Sequence, residues 1–217
     1  MNVAENLQKV RLSIPENIKL VAVSKTKSSE IILEAYNAGH RDFAENRVQE
    51  LSEKYEQLPK DIRWHMIGHL QTNKVKHIAP FVHLIHGVDS MKLLKEINKR
   101  ATQNNRIIDC LLQIHIAQEA TKFGFSFKET EAIFQSEEFK ELQNINIVGL
   151  MGMATNTNDE NQIHTEFHSL ADFFKILKTQ NSNLQTISMG MSSDYPIAIE
   201  AGSDMVRIGS AIFGKRH

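Results

Sequence analysis

Short apolar runs rich in β-branched residues alternate along this 217-residue chain with longer stretches whose apolar residues recur every three or four positions. The short runs predict strands, and the longer stretches predict amphipathic helices. Because the runs are continuously apolar, the predicted strands are buried on both faces, as in parallel sheets. They cover residues 19–25, 41–45, 63–68, 82–88, 107–116, 145–154, 184–189 and 204–209.

Helical periodicity fills the segments between these strands. The predicted helices include residues 29–38, 91–103, 127–139, 159–179 and 195–201, and an additional N-terminal helix covers residues 1–12. Ser28, Ser90 and Ser126 occupy N-cap positions, while Gly39 and Gly202 stand where helices end. Eight strand–helix units spaced by roughly 25 residues predict an α/β fold, a single (β/α)₈ barrel of the TIM type. A doubly wound parallel sheet is the alternative.

Composition and charge argue against a nucleic-acid partner and against a membrane-spanning protein. The 25 Lys and Arg residues nearly balance 26 Asp and Glu residues, and no basic stripe indicates a nucleic-acid partner. No apolar run approaches the ~20 residues that a membrane span needs. A lone cysteine, Cys110, lies in an apolar strand, which predicts an unreactive core thiol and a reducing, cytoplasmic location. No linker divides the chain, so residues 1–217 are expected to form one domain.

The first strand places a lysine where barrel active sites collect, at the C-terminal strand ends. Val21, Val23 and Lys25 share one face by strand alternation, so Lys25 projects inward at the barrel mouth if the valines fill the interior. Burial lowers the pKa of an amine and makes it nucleophilic enough to form an imine with an aldehyde. The alternative is a solvated lysine at a strand end. Lys27 has the same parity but lies beyond the apolar run.

Two Gly/Ser turns follow the last two predicted strands. Gly209-Ser210 opens a short helix after strand eight, and residues 188–193 form a similar turn after strand seven. Phosphate sites of barrels are built at these two positions from backbone N–H groups, although two ordinary connecting turns have the same sequence. Arg207 lies inside strand eight, where burial demands a partner. It either faces the ring nitrogen of a cofactor or clamps a phosphate.

The histidines do not form a recognisable metal motif. His65 and His69 are four residues apart at a strand and its exit, where that spacing does not bring side chains together. His164 and His168 share a predicted helix with Glu166, in a pattern typical of a solvated face. The sequence therefore favours structural or surface roles over metal binding.

Several motifs resemble those of one family. They are Val21–Lys27, Asp42–Arg47 with Gln49 and Glu50, Trp64–Lys74, Gly149–Met151, Gly190–Ser192 and, most specifically, Ala201–Gly214. Over nearly its whole length the chain resembles the pyridoxal phosphate homeostasis protein family, whose barrel is similar to the N-terminal domain of alanine racemase. Ala44 stands where that family usually has glycine.

The resemblance implies a site for pyridoxal 5′-phosphate, with Lys25 forming a Schiff base to the cofactor. Arg207 then faces the pyridine nitrogen, the amides at Gly209 and Ser210 hold the phosphate, and Ser192 is a further phosphate donor. The implied cofactor-binding set is Lys25, Asn46, Ser192, Arg207, Gly209 and Ser210.

The resemblance also implies a binding and carrier role without established catalytic turnover. Alanine racemases add a second domain that supplies an opposing base, whereas only residues 215–217 follow Gly214 here, so we expect no such base. The expected recipients of the cofactor are apoenzymes that depend on it, and the expected state is a monomer or weak dimer. The alternatives are a weak amino-acid racemase and a cofactor-free Schiff-base lyase acting on a phosphorylated sugar.

Overall fold

Eight parallel strands close into a barrel in chain order, and β8 pairs with β1 to complete the ring. The computed structural model describes residues 2–119 and 123–214. The strands are β1 (Lys19–Val23), β2 (Asp42–Glu45), β3 (Arg63–Met66), β4 (Leu84–Val88), β5 (Ile108–Ile114), β6 (Ile145–Gly152), β7 (Thr186–Ser188) and β8 (Met205–Ile208). The predicted (β/α)₈ barrel is confirmed. Because β8 and β1 are paired, the doubly wound sheet was the wrong alternative.

Helices connect the strands around the outside of the barrel. They are α1 (Val3–Leu12), α2 (Ser29–Asn37), α3 (Val48–Gln57), α4 (Val75–Ile78), α5 (Met91–Gln103), α6 (Phe127–Gln135), α7 (Glu137–Lys140), α8 (Glu160–Gln180), α9 (Tyr195–Glu200) and α10 (Ser210–Phe213). The additional N-terminal helix α1 is confirmed and packs against α2 and α10. Within the described parts of the chain, no helix is both long and apolar enough to cross a membrane.

Local capping chemistry sets several of these helix boundaries. Ser90 and Ser126 accept hydrogen bonds from backbone amides in the first turns of α5 and α6, whereas Ser28 precedes α2 without such a bond. The predicted helix over residues 127–139 is two helices, because Ser136 is extended and starts α7 with its own side-chain cap. Gly39 and Gly202 follow α2 and α9 with φ of +85° and +106°, a conformation that favours glycine.

The apolar core has two layers. The larger layer lies between the strands and the helices and contains Cys110, where burial raises the pKa of the thiol and keeps it unreactive. The smaller layer fills the barrel interior with one or two inward side chains from each contributing strand. It comprises Val21, Val23, Ala44, Leu84, Leu111, Met151 and Met205. Polar side chains occupy further positions in the barrel interior, among them Asp42, His65, His86 and Arg207.

Candidate functional site

A cavity of about 590 Å³ opens at the C-terminal ends of the strands. The structure brings all six residues of the predicted cofactor site to its wall: Lys25, Asn46, Ser192, Arg207, Gly209 and Ser210. Lys27, Ile67, Met153 and Met191 also line it. Turns far apart in the sequence meet here because the C-terminal ends of parallel strands lie at the same end of a barrel.

Lys25 reaches this cavity from the turn that follows β1. Val21 and Val23 point into the barrel interior, and Lys25 continues their face beyond the end of the strand. The next residue, Thr26, has a φ of +67°, in the left-handed region that a β-branched residue rarely adopts. Such a conformation persists only when neighbouring groups hold it.

A buried ionic cluster supplies that support. The Lys54 ammonium donates to the Ser24 carbonyl oxygen (2.9 Å) and to the carboxylates of Glu45 and Glu50 (2.7 Å each). Glu50 in turn accepts from the Thr26 backbone amide (2.6 Å), and Glu45 accepts from the Ser24 hydroxyl (2.6 Å). The backbone is therefore fixed on both sides of Lys25 by a lysine from α3 and by two carboxylates.

Glu45 links the stability of this cluster to pH. Burial raises the pKa of its carboxyl to about 7, against the lowering effect of Lys54. The folded protein therefore holds a proton that the unfolded chain has released above pH 4.5. We expect the Glu45 contribution to the free energy of unfolding to fall as pH rises from about 4.5 to about 7, by at most about 1.4 kcal/mol per pH unit.

Urea unfolding at pH 5 and pH 7.5 measures this effect when wild type is compared with Glu45→Gln, which keeps the shape but cannot titrate. The difference in unfolding free energy between the two proteins should change with pH in the stated direction. Equal pH profiles for the two proteins would show that Glu45 titrates normally in the folded state.

Arg207 is a buried cation that lies at the floor of the cavity. Its guanidinium donates to the Ser188 carbonyl oxygen (2.9 Å), the Ser188 hydroxyl (2.6 Å) and the Gly152 carbonyl oxygen (3.2 Å). Burial lowers its pKa to about 10, so it stays charged at neutral pH, and the carboxylate of Asp194 acts in the opposite sense. A cation held in this way is preorganised to face a ligand.

The turns after β7 and β8 meet and form a small cradle of the kind that binds anions. The Gly209 amide donates to the Ser192 hydroxyl (3.1 Å), which brings the two turns into contact, and α10 begins at Ser210. Amides in the first turn of a helix lack intrahelical partners and point toward the N-terminal side. Gly190 has a φ of +92°, and a Cβ there would lie 2.7 Å from the Ala198 Cβ. This turn therefore requires glycine.

Asn46 lines the cavity directly after β2 and carries an unsatisfied group. Its buried Oδ1 atom has no hydrogen-bond partner within the described residues, although buried polar atoms normally have one. Gly68 lets the Asn46 backbone approach closely, since a Cβ at Gly68 would lie 2.2 Å from the Asn46 carbonyl oxygen. An amine, a fixed cation, an anion cradle and an unpaired amide oxygen fit a phosphorylated aromatic aldehyde such as pyridoxal phosphate. Ala44 packs in the barrel interior, outside this wall.

His65 and His69 contact different partners, as their spacing in a strand and its exit predicts. His69 is exposed and pairs with Asp89 (3.0 Å), whereas His65 is fully buried and contacts Asp42 and His86. The expectation that Glu166 shares a solvated face with its helix neighbours was wrong. Its carboxylate is buried and accepts hydrogen bonds from the backbone amide and the hydroxyl of Thr155.

The family profile described as "Alanine racemase, N-terminal domain" matches residues 1–217, in agreement with the barrel and with the lysine at its mouth. The chain is 41% identical to the pyridoxal phosphate homeostasis protein of Aquifex aeolicus (strain VF5), over 99% of this chain and 95% of that protein. It is also 41% identical to the protein of the same name from Vibrio alginolyticus, over 93% of this chain and 88% of that protein. The chain belongs to the family of pyridoxal phosphate homeostasis proteins.

Solved structures agree with this assignment. PipY of Synechococcus elongatus PCC7942, solved without PLP, has a TM-score of 0.91 and 34% identity, covering 98% of this chain and 100% of that one. The structure of PipY with PLP bound has a TM-score of 0.88 and 33% identity. Alanine racemase of Clostridium difficile 630 matches 99% of this chain and 56% of its own, with a TM-score of 0.78. At 17% identity, that match shows a shared barrel fold alone.

Proposed function

We propose that residues 1–217, as a single domain, bind pyridoxal 5′-phosphate as a Schiff base on Lys25 and serve its homeostasis without catalytic turnover. The observation that carries this proposal is the convergence of Lys25, Arg207 and the Ser192–Gly209 cradle on one cavity. The family membership and the PLP-bound structure of PipY support it. The bound cofactor supplies an aldehyde that combines reversibly with amines.

Each group in the wall has a distinct role in this proposal. The amine of Lys25 would condense with the aldehyde of the cofactor, with loss of water, and Arg207 would face the ring nitrogen. Because a guanidinium only donates, it keeps that nitrogen unprotonated and weakens the ring as an electron sink. The Ser192 hydroxyl and the amides at Gly209 and Ser210 bind the phosphate, and the Asn46 side chain contacts the ring.

The charge pattern of the cavity supports binding over turnover. Racemisation requires proton-transfer groups on both faces of the bound substrate. The ionisable side chains in the described cavity wall are those of Lys25, Lys27 and Arg207, and no carboxylate, histidine, tyrosine or cysteine of the described residues lines it. Lys27 follows Lys25 on the same connection after β1, so among the described residues no base from another strand lines this wall.

We further propose that the protein acts in the cytoplasm, as a monomer or weak dimer, and passes the cofactor to apoenzymes that depend on it. A single buried thiol suits a reducing compartment. Because the covalent bond is reversible, a lysine amine of a recipient can replace Lys25 without any further catalyst. The open mouth of the cavity gives access for that exchange.

Titration of the purified protein with pyridoxal 5′-phosphate tests the proposal. We expect a visible absorbance band of the protein-bound imine, and borohydride reduction should fix the cofactor mass on the peptide that contains Lys25. Incubation of the loaded protein with D- or L-alanine should give no sustained racemisation. Absence of the band would favour a cofactor-free lyase, and sustained turnover would favour a racemase.

A further inference from the structure

A continuous line of buried polar side chains crosses the barrel interior beneath the cavity. At the N-terminal end, the Asp42 carboxylate lies 3.1 Å from His65 Nε2. His65 Nδ1 lies 2.9 Å from His86 Nε2, and His86 Nδ1 lies 3.4 Å from the Ser188 hydroxyl. That hydroxyl accepts from Arg207 (2.6 Å). His65, His86 and Ser188 are each 0% exposed, so these groups find their partners in one another.

The negative charge of Asp42 and the neutral state of the two histidines together allow only one direction for the hydrogen bonds in this line. Burial alone would raise the pKa of Asp42, but hydrogen bonds from Arg63 and His65 hold it well below its ordinary value, so the carboxylate only accepts. Burial lowers the pKa of both His65 and His86, which are therefore neutral. A neutral imidazole that donates through Nε2 must accept through Nδ1.

The tautomer of His65 therefore determines the direction of each further hydrogen bond in the line. His65 donates from Nε2 to Asp42 and accepts at Nδ1 from His86 Nε2. His86 then accepts at Nδ1 from the Ser188 hydroxyl, whose hydrogen is directed away from Arg207. A lone pair of that hydroxyl is thereby left for the guanidinium. Every donor in the line points toward Asp42, and both histidines carry their proton on Nε2.

We propose that His86 and Ser188 are positioning residues, which fix Arg207 at the cofactor site through a one-way chain of hydrogen bonds anchored on the Asp42 carboxylate. The role assigned to Arg207 rests on the function proposed above. The chain of hydrogen bonds itself is present in the protein before any ligand binds.

A metal site is the competing explanation for the same cluster, because ligand atoms of Asp42, His65 and His83 lie within 4.8 Å of one another. Arg63, however, donates to both oxygens of Asp42 (2.8 and 2.5 Å), and His65 uses its second nitrogen for His86. A cation would have to displace the guanidinium and approach beside its charge. The hydrogen-bond chain uses these same atoms without displacing any group.

Histidine tautomers in the protein without cofactor provide the decisive test. In ¹⁵N-histidine-labelled protein, two-bond ¹H–¹⁵N correlation spectra distinguish a protonated Nε2 from a protonated Nδ1. We expect the Nε2–H form for both His65 and His86. In Asp42→Asn the side chain can donate as well as accept, so the direction is no longer fixed, and His86 should become a mixture of tautomers although residue 42 does not contact it. In His83→Phe, which keeps an aromatic ring beside His65, the His86 tautomer should be unchanged.

Ser188 provides a second variant at the opposite end, where loss of one hydroxyl spares the Arg63–Asp42 ion pair. We expect Ser188→Ala to leave His86 as a mixture of tautomers. It should also weaken cofactor binding about tenfold, as for the loss of one buried hydrogen bond to a charged group. Ser188→Thr keeps the hydroxyl and should restore both properties.

Two results would contradict the proposed one-way chain of hydrogen bonds. The first is a protonated Nδ1 on His65 or His86 in wild type, and the second is a His86 tautomer unaffected by both Asp42→Asn and Ser188→Ala. Spectra with added Zn²⁺ address the competing site, and a zinc-dependent shift of His65 and His83 in wild type would also count against the chain. Failure of the imine band would reject the proposed function while leaving the tautomer result intact.

Discussion

Lys25→Ala is expected to abolish the visible imine band entirely and to leave only weak, non-covalent binding of pyridoxal 5′-phosphate. Lys25 lies at the cavity wall just beyond the end of β1, and the cradle of Ser192, Gly209 and Ser210 lines the same cavity. Without that amine the cradle and Arg207 still offer hydrogen bonds and charge, but no covalent bond forms. Absorbance and mass spectrometry after borohydride reduction measure the change.

Two matched variants make this experiment specific. Lys99→Ala removes an exposed lysine of α5, far from the cavity, and should keep the band unchanged. Lys27→Ala tests the other lysine of the wall, and the reduced cofactor should still be found on Lys25. Persistence of the full band in Lys25→Ala would move the covalent site to another lysine. Lys122 is one such lysine, and it lies outside the described residues. Peptide mapping after reduction would show directly whether the cofactor is bound to it.

Lys54→Met is expected to cost about 3–5 kcal/mol of stability at pH 8, where Glu45 is ionised. The side chain of Lys54 is only 7% exposed, and its ammonium joins two carboxylates to the Ser24 carbonyl oxygen. Its removal takes away the charge that lowers the pKa of Glu45, so the buried carboxyl must either stay charged without a countercharge or take up a proton, and both cost stability. Urea unfolding monitored by fluorescence of Trp64 gives the change in free energy.

A double variant separates charge from packing in this cluster. Lys54→Met combined with Glu45→Gln removes both buried charges, so it should be more stable than Lys54→Met alone. Lys76→Met, at an exposed lysine of α4, is the control and should change stability by less than about 0.5 kcal/mol. A single and a double variant of equal stability would mean that the Glu45 charge is not what the lysine compensates.

The barrel and the main site residues were predictable because they depend on local pattern. Continuous apolar runs indicate strands buried on both faces, and strand parity alone carries Lys25 to the inward face after Val21 and Val23. The Gly209-Ser210 turn follows β8 directly. These features require no knowledge of which helix packs on which strand.

The supporting residues were not predictable in the same way. Lys54 lies in a helix among glutamate and glutamine residues, a pattern typical of a solvated face, and only the packing of α3 against the turn after β1 buries it. The sequence places His86 in the fourth strand but does not indicate its partners, which come from β3 and β7. One signal was available: Asp42, His86 and Arg207 each lie two residues from an apolar inward position, which marks them as polar groups inside a barrel.

The polar line across the barrel interior also bears on how the chain finds its fold. The line takes one side chain each from β2, β3, β4, β7 and β8, and successive residues of a strand face opposite sides of the sheet. A slip of one residue in any of these strands would turn a hydrogen-bonded group outward and leave its partners unsatisfied in a water-free interior. Apolar side chains alone would tolerate several alignments of the strands. The same groups that hold Arg207 therefore select a single register for ring closure.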